Sequence, residues 1–257
     1  MEIVMETDVL KEFVGVLGVL VEEAKLVFEK DGVKTSCVDP SHVAMVEASL
    51  NMDAFNRYSI EPIEMGVDLG KIQEFLGIGR ADRVTIRHDE KKNRLVFEMG
   101  YVTRSMGLVD AAGFPDTTIP NLNLPNTAKV GVKYLRGGVK ASGQLSDHIA
   151  VLLKPEGFEM IAEGDTDESE MVLPKDLLDE INAEQTARSL FPLDYFGNMV
   201  RAIKSKTVEI LLGTDYPVKM RWDFERKIPE FNDGKETVKT VIAGSGLFLL
   251  APRIESE

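Results

Sequence analysis

The sequence is poor in the residues most often used for chemistry. It holds one cysteine, Cys37, one tryptophan and three histidines, His42, His88 and His148, in 257 residues. A lone cysteine has no partner for an intrachain disulfide, which points to a reducing, cytoplasmic location. Neither C-x-x-C nor H-E-x-x-H spacing is present, so the common metal sites lack a ligand set. None of the histidines sits beside a serine or cysteine in a G-x-S-x-G elbow. His42, after "DPS", reads as a loop residue, and His148, in "SDHI", as the end of a helix, where an imidazolium suits the dipole. There is no Walker loop, and "GIGR" (77–80) follows a helix instead of opening one, so it is a poor phosphate cradle. "EGDTDESE" (163–170) is dense in carboxylates but lacks the glycine and final glutamate of a calcium loop; it reads as a strand edge protected by charge. Apolar runs such as "VGVLGVLV" (14–21) fall far short of the about 20 residues that span a bilayer. The start "MEIVMETDVL" carries acids where a signal peptide has a basic region. Positive charge is also short, with a formal net charge of −13. No catalytic set, cofactor or metal is expected, and a membrane partner is not expected either.

What the chain does contain is a repeat. Laid over "VLLKPEGFEMIAEG" (151–164) at a shift of 125, "LVFEKDGVKTSCVD" (26–39) matches Leu26 to Val151, Phe28 to Leu153, Gly32 to Gly157 and Val33 to Phe158. Each copy reads as a strand, an acid–glycine turn and a second strand. Upstream, Leu10, Val14 and Leu20 match Leu135, Val139 and Leu145, the buried stripe of an amphipathic helix. At a shift of 124, Leu69, Ile72, Phe75 and Leu76 fall on Leu193, Phe196, Met199 and Val200, again at helical spacing. Two blocks in the same order predict two copies of one fold.

Between the copies lies "GFPDTTIPNLNLPN" (113–126), with three prolines, three asparagines and no helical period. Its Phe114, Ile119, Leu122 and Leu124 are too apolar for a free tether, so a docked connecting segment is expected. The division is residues 1–112, a connecting loop at 113–128, and residues 129–257. Most residues of each half lie in short alternating strands, such as "RLVFEMGYVTRSMGLVD" (94–110) and "YPVKMRWDFE" (216–225). The fold class is α+β: two similar sheet-rich domains, each with two helices on one face.

Charge is unevenly spread. The four expected helices, 7–20, 68–80, 133–145 and 194–206, carry −1, 0, +3 and +2, a total of +4 against −17 for the rest of the chain. Helical spacing places Arg136 and Lys204 on the basic faces.

"CVDPSHVAMVEASL" (37–50), "SDHIAV" (146–151), "EGDTD" (163–167), "LGTDYPVKMRW" (212–222) and "LLAPRIE" (249–255), in this order, resemble the DNA sliding clamps, the archaeal relatives of proliferating cell nuclear antigen. The resemblance runs through the whole chain. It implies a homotrimeric ring of six similar domains, with twelve helices lining a central hole and sheets forming the rim. The implied function is a processivity factor that encircles duplex DNA and tethers replication and repair proteins to it. DNA polymerase, clamp loader, flap endonuclease and ligase are the implied partners, each bound through a short peptide. Channel residues carried over are Lys11, Lys71, Lys140 and Arg201. The first helix, with few basic residues, departs from the family. Duplex DNA carries one charge per about 1.7 Å, so such a lining attracts it without reading sequence.

The resemblance also implies a partner-peptide pocket formed by Val38, His42, Met45, Ile119, Pro120, Tyr216, Pro217, Leu249, Leu250, Ala251 and Pro252. It pairs "GYVTRSMGLV" (100–109) of one subunit with "TDESEMVL" (166–173) of the next. The interface residues so implied are Arg104 and Met106 facing Asp167, Glu168 and Glu170. "FERKIPEFNDGKETVKTVIAGSG" (224–246) is longer than the family's last hairpin. A specialised subunit of a heterotrimeric or checkpoint-type clamp is the alternative reading. An enzyme on a duplicated fold is a further one, and it would need a clustered titratable site.

Overall fold

The computed structural model describes residues 1–79, 81–232 and 235–254. Its first eleven elements are β1 (Glu2–Glu6), α1 (Thr7–Leu17), β2 (Glu23–Glu29), β3 (Gly32–Val38), β4 (Ala44–Asn51), β5 (Phe55–Ser59), β6 (Ile63–Asp68), α2 (Leu69–Ile78), β7 (Arg83–Asp89), β8 (Arg94–Met99) and β9 (Val102–Gly107). The next eleven repeat that order: β10 (Asn126–Gly131), α3 (Val132–Ser142), β11 (His148–Lys154), β12 (Gly157–Glu163), β13 (Glu168–Pro174), β14 (Glu180–Asn182), β15 (Ala187–Pro192), α4 (Leu193–Ala202), β16 (Thr207–Leu212), β17 (Val218–Asn232) and β18 (Lys235–Leu250). The repeat inferred from two blocks therefore extends to every helix and strand.

The chain forms two compact units. One comprises Met1–Pro40, Val46–Thr118 and Asp223–Gly246; the other comprises Ser41–Met45, Ile119–Trp222 and the chain from Leu247. A cut at 113–128 gives contiguous halves, whereas these units take segments from distant parts of the sequence. The reason is length: β17 and β18 run for 15 and 16 residues, about three times a typical strand. Strands this long contribute to both units.

In the first unit one sheet has the order β5-β1-β7-β8-β9, and β17, β18, β4, β3, β2 and β6 follow one another in a second. Alternation along β2 and β8 buries Ala24, Leu26, Phe28, Leu95, Phe97 and Met99. The helices α1 and α2 pack on each other and add Leu10, Phe13, Val14, Ile72 and Phe75 to this core. Arg226 of β17 is 7% exposed and donates to the carbonyls of Asp53 and Phe55, both at 3.0 Å, and to Glu6 Oε1 at 3.3 Å. A buried guanidinium is tolerated when so many acceptors face it.

In the second unit the order is β13-β12-β11-β15 in one sheet, and β14, β10, β16 and the start of β17 run side by side in the other. The core centres on Phe158, Phe191, Phe196, Leu135 and Val139, with α3 packed on α4. Among the described residues, no helix is long and apolar enough to cross a membrane.

The repeated hairpins share one close contact. A side chain at Gly32 would put its Cβ 2.0 Å from the Leu50 carbonyl oxygen, and one at Gly157 would lie 2.1 Å from that of Leu173. Each turn glycine thus lets the hairpin sit against the end of the next strand in its own unit.

All four helices are shorter than expected. The helix α1 stops at Gly18 and α3 at Gly143, so Leu20 and Leu145 lie beyond them. Ile203 is extended (ψ 122°) and ends α4, which puts Lys204 and Lys206 in the following loop and leaves α4 with Asp194 and Arg201 alone. Arg80, counted with the second helix, lies outside the described residues, as do Glu255–Glu257 of the tail. His148 does not end a helix; it opens β11.

Candidate partner groove and basic helix faces

Of the residues assigned by resemblance to a partner pocket, Leu249 and Leu250 lie on β18, which pairs with β17, and strand parity sets their faces. Val218, Met220 and Trp222 point into the core of the second unit, as do Phe248 and Leu250, and the Trp222 and Phe248 rings pack at 4.8 Å between centroids. Leu249, 6% exposed, therefore faces the opposite way from fully buried Leu250. Beyond Leu250 the chain is tied down twice. Ala251 N–H donates to the Val43 carbonyl at 2.8 Å, and Arg253 N–H to that of Leu190 at 2.7 Å. The Arg253 guanidinium lies directly against the His148 ring.

The other residues of the implied pocket come from three loops. His42 is exposed and left-handed (φ 58°), and half-buried Met45 follows it on β4. Tyr216, 53% exposed, stands on a turn held by its N–H to the Gly213 carbonyl, with Ser189 Oγ donating to that carbonyl at 2.8 Å. Half-buried Pro217 leads from this turn into β17, and Ala251 and Pro252 are half-buried on the tail. The connecting segment brings half-buried Ile119 and exposed Pro120, and its Leu124 packs beneath the Gly213 turn. Val38 belongs to the first unit. One residue here escaped sequence reading: Lys219, buried, whose Nζ donates to the Pro120 carbonyl at 2.9 Å.

The basic residues form a second group. In the second unit Lys140 and Arg201 are exposed, and Arg201 is steered along α4 by Asn198 Oδ1 at 2.5 Å. Arg136 donates to the Ile203 carbonyl at 2.5 Å, which caps the end of α4. Lys133, Tyr134, Arg136, Lys204 and Lys206 border one cleft of about 560 Å³, with Lys133 Nζ 4.6 Å above the Tyr134 ring. In the first unit the signal is weaker. Lys71 is paired with Asp68 at 2.6 Å, a contact that raises the lysine above its usual range and lowers the aspartate. Lys11 lies between Asp8 and Glu12, half-buried.

The residues that the resemblance assigns to a subunit interface lie on or beside terminal strands. Arg104, on β9, is held within its own chain by Glu74 Oε2 at 3.2 Å, and Met106 is buried. Glu168 and Glu170 are exposed on β13, with Asp167 just before it. Glu168 stands opposite Glu163 in register, a like-charge pair at the exposed end of the hairpin.

A family model described as proliferating cell nuclear antigen, N-terminal domain, matches residues 2–106. The DNA polymerase sliding clamp of Methanococcoides burtonii is 35% identical over 256 residues, covering 98% of each chain. The chain belongs to the DNA sliding-clamp family. The sliding clamp of Picrophilus torridus is also 35% identical, over 96% of each chain. Among solved structures, A. fulgidus PCNA, bound to the C-terminal region of FEN-1, superposes with a TM-score of 0.87 at 28% identity, covering 100% of this chain and 99% of that one. PCNA from Thermococcus kodakaraensis gives 0.84 at 25% identity, over 98% and 99%. Family membership accounts for the α+β fold and its internal repeat, and identifies the chain as a DNA polymerase sliding clamp.

Proposed function

We propose that three copies of this chain close into a ring around duplex DNA in the archaeal cytoplasm, and that the groove on the second unit takes short peptides of replication and repair proteins. The observation that carries the ring is the pair of terminal strands. β9 ends the first unit's five-stranded sheet, β13 ends the second unit's four-stranded sheet, and each leaves backbone donors and acceptors on one side. Arg104 of one copy answers Asp167, Glu168 and Glu170 of the next. The contact is head-to-tail, and a rotation of a third of a turn per copy closes it into a ring of three. Light scattering should give three times the chain mass; a monomer at all micromolar concentrations in moderate salt overturns the ring.

DNA runs past Lys140, Arg201 and Arg136, with Lys204 beside them and lesser contributions from Lys71 and Lys11. These contacts reach phosphates and carry no sequence preference. The peptide partners are DNA polymerase, the clamp loader, flap endonuclease and ligase. They are expected to insert an aliphatic anchor and aromatic side chains as one helical turn. That the similar A. fulgidus clamp is solved with the C-terminal region of FEN-1 bound supports this reading. Ile119 is the cleanest probe, because it lies on the connecting segment and adds little to the core. Ile119→Ala should leave the melting temperature nearly unchanged and weaken a synthetic partner peptide by about 1–2 kcal/mol in calorimetry. Unchanged affinity would make the segment a connector only.

A further inference from the structure

Strand alternation turns Lys219 away from the interior that holds Val218, Met220 and Trp222, yet the lysine is only 5% exposed. Arg221, next on the same side, is exposed and pairs with Glu209 at 3.5 Å. The difference is the connecting segment, whose Pro120 carbonyl takes the Lys219 ammonium at 2.9 Å. Among the described residues this is the one hydrogen bond found for residues 119–125; Leu124 is buried beside Gly213 and Leu122 is half-buried. The arrangement is unfavourable for the lysine itself. Burial, and then the neighbouring charge of Arg221, hold its ammonium below the usual lysine range. An apolar side chain would suit the place, as Leu211 does directly opposite in register. A buried cation on a single neutral acceptor adds little to stability, so position is the better account of it.

We propose that Lys219 is the latch of the connecting segment: by holding the Pro120 carbonyl it fixes Ile119 as a wall of the groove and sets the groove's affinity for a partner peptide. The inference rests on the groove reading above, and its test separates the two. In the full-length protein, Lys219→Met should speed thermolysin cleavage within residues 119–124 by about tenfold or more, a local opening, with the melting temperature little changed. The same variant should weaken an aromatic-motif peptide about five- to tenfold, the range of a moderate hot spot. Lys219→Arg, which keeps a cationic donor, should restore both. Because the latch acts through Ile119, the double variant Ile119→Ala/Lys219→Met should bind no more weakly than the weaker single variant. Cleavage that is unchanged in Lys219→Met overturns the latch, even if the wild type binds peptide. Losses that multiply in the double variant also overturn it, since the lysine would then act apart from Ile119. A wild-type chain that binds no such peptide, while Lys219→Met still loosens the segment, overturns the groove reading and leaves the latch standing.

Discussion

Reversing Lys140 and Arg201 to glutamate, with or without Arg136, should abolish retention on circular DNA while leaving the assembled mass unchanged. Each lost phosphate contact lowers the slope of log affinity against log salt by about one, so the triple reversal should flatten it by about three per chain in contact with DNA. Repulsion by the new carboxylates adds to that loss. The effect should be equal for unrelated DNA sequences, because no base edge is read. Arg136 needs its own control: it caps α4 through the Ile203 carbonyl, so its reversal also loosens the end of that helix. The Lys140/Arg201 pair touches no such cap and carries the argument, with melting temperature measured alongside. Wild-type polymerase stimulation by the triple variant would remove these residues from the channel. Lys11→Glu should do far less, since Asp8 and Glu12 already flank that lysine.

The second large effect concerns stability. Gly32 holds φ at 147°, and a Cβ there would lie 2.0 Å from the Leu50 carbonyl oxygen. An alanine must both strain the backbone and push two strands apart. Gly32→Ala should therefore cost about 3–4 kcal/mol and lower the melting temperature by about 10 °C. Gly77, within α2, has nothing within 4 Å of its missing Cβ. Gly77→Ala should be neutral or stabilising by up to about 1 kcal/mol. Calorimetric melts of the two variants decide the matter; equal curves would mean the hairpin relaxes without penalty.

The same glycine explains why so much of the fold was legible. Gly32 and Gly157 sit at turns flanked by period-two strands, and a turn that demands glycine marks the repeat better than any apolar residue. Helix ends were less legible. Periodicity carries on through Leu20 and Leu145, although the helices have stopped at Gly18 and Gly143. Lys204 and Lys206 continue a basic pattern in a loop, where spacing no longer fixes a face. Opposite-side burial hid Lys219: alternation with Val218 and Met220 makes it look solvent-facing, and only a segment from a hundred residues upstream covers it. The facing of the last leucines was not legible either, since "LFLL" does not say which one is fully buried; it is Leu250. The ion pair of Arg104 with Glu74 was equally invisible, because β9 and α2 approach each other only in the folded unit.

The division of the chain also governs how it is made. The first unit draws its last segment, Asp223–Gly246, from more than a hundred residues beyond Thr118. On the ribosome, the early strands must wait for that segment before their sheet is complete. At about 5–20 residues per second the gap between Thr118 and Gly246 amounts to about 6–25 seconds of synthesis. Through that interval Glu6 lacks Arg226, and the carbonyls of Asp53 and Phe55 lack its guanidinium. The nascent chain is thus exposed to mispairing for longer than its strand count suggests, and its first half matures only when its second half is nearly finished.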